Sequence, residues 1–122
     1  MTRRTSITLT AVPLIAGLVI AGSANGGTDT AVRRTSADPG GALAFTKKRL
    51  TAPRGRIRIV MRNPAGSGLP HGIGVRKKRG PSVDPGETSR VTITIREPGR
   101  YTFYCTFPGH RAAGMKGRLI VQ

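Results

Sequence analysis

The chain has one cysteine, two histidines, five acidic residues and no tryptophan among its 122 residues. A single thiol rules out an intramolecular disulfide and every metal site that needs two thiolates, including zinc ribbons, ferredoxin clusters and binuclear copper centres. Five carboxylates against 21 Lys and Arg give a formal net charge of +16, so a partner met by diffusion is expected to be acidic. No carboxylate lies near either histidine in the sequence to orient it as a general base, which argues against a hydrolase. Two histidines are also too few for a copper oxidase with a second, oxygen-reducing site. The length suits one compact domain.

The longest apolar stretch, residues 7–22, is interrupted by Thr8, Thr10 and Pro13 and falls short of the ~18 residues of a membrane span. Arg3 and Arg4 precede it and the small residues Ala21-Gly-Ser-Ala24 follow, the layout of a secretory signal peptide. Residues 1–24 are therefore expected to be removed, leaving an exported product that is periplasmic, cell-surface or extracellular. No cysteine follows the stretch to carry a lipid anchor. The product keeps a formal charge of +14, since only two of the cations are lost with the leader. Residues 25–41 hold only three apolar residues, Ala31, Val32 and Ala37, in a Gly-, Thr-, Ser- and Asp-rich context and are expected to form a flexible lead. The folded domain is then expected over residues 42–122.

From Ala42 onward no helical period persists, and period-two alternation recurs between Gly and Pro breaks. Ile57, Ile59 and Met61 alternate with mostly basic neighbours; Val91, Ile93 and Ile95 alternate with Thr92, Thr94 and Arg96. Tyr101, Phe103 and Cys105 form a third inward set, His71, Ile73 and Val75 a fourth, and Gly117, Leu119 and Val121 a fifth. Breaks at Asn63-Pro64, Gly80-Pro81, Pro85-Gly86, Pro98-Gly99 and Pro108-Gly109 space these strands as in an all-β sandwich or small barrel of Greek-key type. Parity puts Cys105 and His71 on inward faces and Tyr104 on an outward one. Two inward donors from distant segments can then meet at one end of the sandwich.

Apart from Met1 and Met61, every His, Cys and Met belongs to one pattern: His71, then Cys105, His110 and Met115. Two imidazoles, one thiolate and one thioether are the donor set of a mononuclear type 1 (blue) copper site, in which thiolate suits Cu(II), thioether suits Cu(I) and imidazole suits both. Zinc fits less well, because Met is too soft and neutral to be its fourth ligand. Pro108-Gly109 gives the four-residue linker from Cys105 to His110 a turn.

Residues 53–122 resemble the cupredoxins, most closely the plastocyanin-like members. The resemblance is carried by Asn63-Pro-Ala-Gly-Ser-Gly-Leu-Pro-His71, by Pro85-Gly-Glu87, and by Pro98-Gly-Arg-Tyr-Thr-Phe-Tyr-Cys105 with Thr-Phe-Pro-Gly-His110-Arg-Ala-Ala-Gly-Met115-Lys-Gly after it. It implies a cupredoxin fold, one copper ion held by His71, Cys105 and His110 with Met115 as axial ligand, shielding by Pro70 and Pro108, and single-electron transfer between redox proteins, not catalysis. It also places Tyr104 where the family has a second electron route. Two departures stand out. Gly72 occupies the position where the family usually has an Asn that ties the two ligand loops together, and the spacing from Cys105 to His110 exceeds that of plant plastocyanin.

Each donor has a bland reading on its own: Cys105 or Met115 as core filler, His71 or His110 as a loop imidazole. Their joint spacing favours copper. A copper carrier or store would use the same donors and is the alternative function. The runs Lys47-Lys-Arg49 and Arg76-Lys-Lys-Arg79 read as solvated faces; with few stacking aromatics, nucleic acid is not an expected partner. The expected partners are acidic redox proteins docking transiently near Arg111, Lys116 and Arg118. Phe107 offers an apolar contact or a plug over the core. A monomer is expected, and its charge also suits loose association with an anionic cell surface.

Overall fold

A computed structural model describes residues 29–122; the expected signal peptide lies outside the described residues. Eight strands form two sheets: β1 (Ala31–Ser36), β2 (Arg49–Ala52), β3 (Gly55–Arg62), β4 (Gly74–Val75), β5 (Lys78–Arg79), β6 (Thr88–Ile95), β7 (Gly99–Tyr104) and β8 (Lys116–Val121). One sheet has the order β1-β3-β6 and the other β2-β8-β7-β4-β5. β1 with β3 and β2 with β8 are parallel pairs; the remaining pairs are antiparallel. The only helical element among the described residues is a 3-10 turn, Ala65–Ser67. This is the expected all-β sandwich, and no described helix is long and apolar enough to cross a membrane.

The alternating residues build the core. Ile57, Ile59 and Met61 of β3 are fully buried, as are Ile73, Val75, Phe103 and Leu119, and Val91, Ile93 and Ile95 line the facing side of β6. The Phe45 and Phe103 rings meet at 5.3 Å between centroids, tilted by 56°, a favourable aromatic geometry. One face of each long strand is wet, as the alternation requires.

The flexible lead expected over residues 25–41 does not hold for residues 31–41. Residues 31–36 form β1, paired with β3 from Ala31↔Ile57 to Ser36↔Arg62. Its two apolar residues suggested too little burial to order the segment, but β1 is held chiefly by backbone pairing along the edge of β3, a term that hydrophobicity does not report. Thr35 Oγ1 donates to Lys47 O at 3.1 Å, and the Asp38 carboxylate accepts from the Gly40 and Ala42 amides at 3.0 and 3.1 Å. Ala37 is fully buried and bridges to Phe45.

The set His71, Ile73, Val75 also departs from simple alternation, because Gly72 and Gly74 are buried too. Regular strand is confined to Gly74–Val75, and His71 makes an isolated antiparallel bridge with Val83. Glycine at 72 and 74 lets both sides of this segment sit against neighbouring backbone and side chains.

Strand directions place the donors at one pole. β3 rises toward Asn63 and the loop that ends in His71, β7 runs into Cys105, and β8 leaves from Met115. The register Gly99↔Val121 puts the far end of β8 at the opposite pole.

Candidate metal centre

Cys105 follows the last residue of β7 and His110 closes a tight turn. The His110 amide donates to Phe107 O at 3.2 Å and Gly109 has φ 85°. A left-handed glycine third is what a type II turn requires, and proline is favoured second. Gly114, at φ 103°, then reverses the chain into Met115. The Met115 amide donates to His110 O, and its carbonyl accepts from the Cys105 amide, both at 3.0 Å. Cys105, His110 and Met115 are thus fixed to one another through backbone.

His71 arrives from a separate loop anchored by a buried asparagine. Asn63 Nδ2 donates to Leu69 O at 2.9 Å and to Val83 O at 3.0 Å, and Ser67 Oγ donates to Asn63 Oδ1 at 2.5 Å. Val83 in turn exchanges both backbone hydrogen bonds with His71. Asn63 therefore sets the position of His71 at second hand, a role that composition and spacing did not reveal; its only sequence signal is a polar residue ending an apolar strand before proline.

The donors converge. His71 Nδ1 and His110 Nδ1 lie 3.2 Å apart, and Cys105 Sγ lies 3.7 Å from the first and 3.6 Å from the second. An ion equidistant from the corners of that triangle would sit about 2.0 Å from each, the bond length of a first-row transition ion to imidazole and slightly short of the ~2.3 Å of a thiolate bond. Met115 is fully buried beside them. Two imidazole nitrogens and a thiolate this close together in a buried site, with Met115 held next to them by its backbone bonds to Cys105 and His110, fit copper by both size and softness. Among the described residues, no other cluster of His, Cys, Asp and Glu could hold a metal ion.

His71 is fully buried, its Nε2 has no hydrogen-bond partner, and His110 is 8% exposed. Phe107, half-buried, packs against the His110 ring at 4.6 Å between centroids, tilted by 45°, and Leu69, 40% exposed, lies in the loop before His71. Phe107 packs against the core cluster and leaves part of its ring exposed.

Both imidazoles have pKa values below the ordinary 6.5, His71 through burial and then the charge of His110, His110 through burial. An unfolded chain then takes up protons before the folded one does. Their contribution to metal-free stability is complete above pH 6.5 and is lost as the pH falls from there through the lowered folded values. The urea midpoint of the metal-free chain is expected to be lower at about pH 5.5 than at about pH 7.5; an unchanged midpoint would contradict the burial of the two rings.

Gly72 departs from the family pattern for a visible reason. A Cβ there would overlap Thr106 Oγ1 and come within 2.6 Å of the Pro81 carbonyl oxygen. The tie between the two ligand loops is made instead from residue 106: Thr106 Oγ1 pairs with Ser82 Oγ at 3.2 Å, and Arg79 Nη2 donates to Thr106 O at 2.9 Å. Ser82 and Thr106 were not among the residues the sequence singled out, since isolated hydroxyls carry no spacing signal, and Arg79 was read only as part of a solvated basic run, whereas its guanidinium reaches the Thr106 carbonyl.

Tyr104 faces away from the core, as parity requires, yet it is only 2% exposed. Arg111 lies over one part of the ring at 4.1 Å and Arg79 at 5.6 Å, and its hydroxyl donates to Arg76 O at 2.5 Å. Arginine stems cover an aromatic face that alternation alone leaves wet.

Residues 32–122 match the model of the copper-binding plastocyanin/azurin family. The chain belongs to that family. It is 35% identical to the plastocyanin minor isoform of Arabidopsis thaliana over 92% of this chain and 67% of that protein. It is 38% identical to plastocyanin of Rumex obtusifolius over 67% of this chain and 91% of the relative. The solved structure of auracyanin B superposes with a TM-score of 0.65 at 27% identity, covering 75% of this chain and 88% of the other. This cupredoxin is a plastocyanin-like, blue-copper protein whose cofactor is copper.

Proposed function

We propose that this cupredoxin is an exported electron carrier that passes single electrons between redox proteins, with His71, Cys105 and His110 as equatorial copper ligands and Met115 as the axial one. The convergence of the three donor atoms in a buried triangle with sides of 3.2 to 3.7 Å supports this reading most directly. Copper bound there supplies a one-electron couple between Cu(I) and Cu(II). The protein's part is to hold the donors in one arrangement through the Met115 backbone bonds and the Asn63 loop, so that little has to move when the charge changes. Burial of His71, Cys105 and Met115 keeps water and small oxidants out, and the 8% exposed His110 edge under Phe107 is the natural point of electron entry. The likeness to plastocyanin supports a carrier and not an enzyme.

Adding Cu(II) to the mature protein should give one bound ion per chain, an intense visible thiolate-to-copper band and reversible one-electron reduction. A colourless product would overturn the proposal, and surrender of Cu(I) to a chelator within minutes would favour the copper-carrier alternative.

Arg111, Lys116 and Arg118 are exposed and flank His110 and Met115 in the sequence, which supports an acidic partner. The second-order rate of electron exchange with such a partner is expected to fall about tenfold or more between about 0.05 M and about 0.5 M salt, because screening shortens the reach of surface charge. A stopped-flow series indifferent to salt would remove the acidic partner and leave the copper site untouched.

A further inference from the structure

The outer face of the β1-β3-β6 sheet carries an unusual set of residues. Reading across by register, Arg56 lies beside Thr94; Val32, Arg58 and Thr92 form the next row; Arg34, Val60 and Arg90 the next; and Ser36, Arg62 and Thr88 the last. All five arginines are exposed and no acidic residue interrupts the rows. Arg56 and Arg62 are six residues apart on one strand, roughly 20 Å, and Arg34 and Arg90 are separated by two strand spacings, roughly 10 Å.

The cations therefore cover a plane and do not follow a thread. Val60 points outward in this array yet is only 7% exposed. Its register neighbours Arg34 and Arg90 have the aliphatic stems to cover it while their charged ends stay in water. Arg58 Nε donates to Thr92 Oγ1 at 3.2 Å, which orients that guanidinium. Beyond Arg56 the face runs into a groove of about 890 Å³ whose lining includes Arg76, Lys77, Lys78 and Arg96 and no acidic residue.

We propose that this arginine face is an electrostatic docking surface for an anionic lipid bilayer, its guanidinium groups engaging headgroup phosphates. Arginine is suited to phosphate because its planar fork gives two parallel hydrogen bonds. A flat, two-dimensional spread of cations matches a field of headgroups better than a single strand of polymer. The face has no aromatic residue on which a base could stack. Its one exposed large apolar side chain, Val32, is too little to anchor a protein interface.

Docked this way, the strands lie along the bilayer, the donor pole points sideways, and the five-stranded face stays open to redox partners. The inference deepens the reading of an exported protein but is independent of copper binding, so the two can fail separately.

The test is sedimentation with vesicles of about 30% phosphatidylglycerol in phosphatidylcholine at about 0.1 M salt, using protein purified after export with its mature N-terminus established. The wild type should bind these vesicles and ignore pure phosphatidylcholine. The triple variant Arg34→Gln, Arg58→Gln, Arg90→Gln should bind about 10²-fold more weakly, from the contribution of each cation near a charged surface. The triple Arg49→Gln, Arg100→Gln, Arg118→Gln removes the same charge from exposed positions on the other sheet. It should lose less than about threefold, because that face lies more than a Debye length from the bilayer. Melting temperature and visible spectrum report whether each triple is folded; should the first not fold, Arg58→Lys, which keeps the charge and loses the fork, should still weaken binding. Equal losses in the two triples would reduce the effect to net charge and overturn the proposal. So would absence of binding to the anionic vesicles, or a DNA duplex that outcompetes them through the same arginines.

Discussion

Cys105→Ser will leave the protein folded and colourless. The intense visible band of the copper-loaded form requires a thiolate, and this sulfur is the only one of its kind in the chain. A serine hydroxyl at the same place, between two imidazole nitrogens now 3.6 and 3.7 Å from Sγ, is a hard and protonated donor that does not replace it. Substituting groups that only orient metal ligands costs ~10- to 100-fold in affinity, so loss of the ligand itself is expected to cost more than about 10²-fold. The fold should survive, because the Cys105 backbone bond to Met115 O is untouched and the substitution leaves the side chain's volume nearly unchanged. Copper titration followed by visible spectroscopy reads the first effect and thermal melting the second. A serine variant that keeps the band would place the copper elsewhere.

The second large effect concerns residue 72. Gly72→Asn installs the residue that the family usually carries after its first histidine, and a comparison by sequence would class it as harmless or helpful. Here it is expected to destabilise the protein by about 3 kcal/mol or more, as overpacking of a rigid site does, and to lower the melting temperature by roughly 10 °C or more. The new Cβ meets the Thr106 hydroxyl and, at 2.6 Å, the Pro81 carbonyl, and the latter is backbone that cannot rotate away. Thr106→Ala in the same chain should recover only part of the loss, since it relieves one contact of the two. The copper spectrum should shift as well, because Thr106 adjoins Cys105. A Gly72→Asn protein that melts with the wild type would show that the loop opens freely and that the tie through Ser82 and Arg79 is dispensable.

Much of this architecture was legible because its causes are local and repetitive. Ile57, Ile59 and Met61 announce β3 by alternation, and Cys105, His110 and Met115 announce the site because sulfur and imidazole occur almost nowhere else in the chain. What escaped notice depends on other forces. β1 is fixed by edge pairing of backbone groups, to which side-chain hydrophobicity is blind. Tyr104 is dry because arginines from two other segments lie over it, a contact between residues 25 and seven positions away in opposite directions along the chain. The Ser82 and Thr106 hydroxyls join loops 24 residues apart, and a serine or threonine in a loop carries no mark of its partner. The displaced asparagine was visible as an anomaly, but its explanation needed the position of a carbonyl oxygen on Pro81.

The parallel pairing of β1 with β3 has a practical consequence for attachment. Ala31 pairs with Ile57 near the start of β3, and Gln122 O accepts from the Arg54 amide just before that strand, so both residues sit at the pole remote from the donor atoms. A thiol-reactive handle placed at Ala31 or Gln122 to fix the molecule on an electrode would leave the histidine edge turned toward solution and open to current.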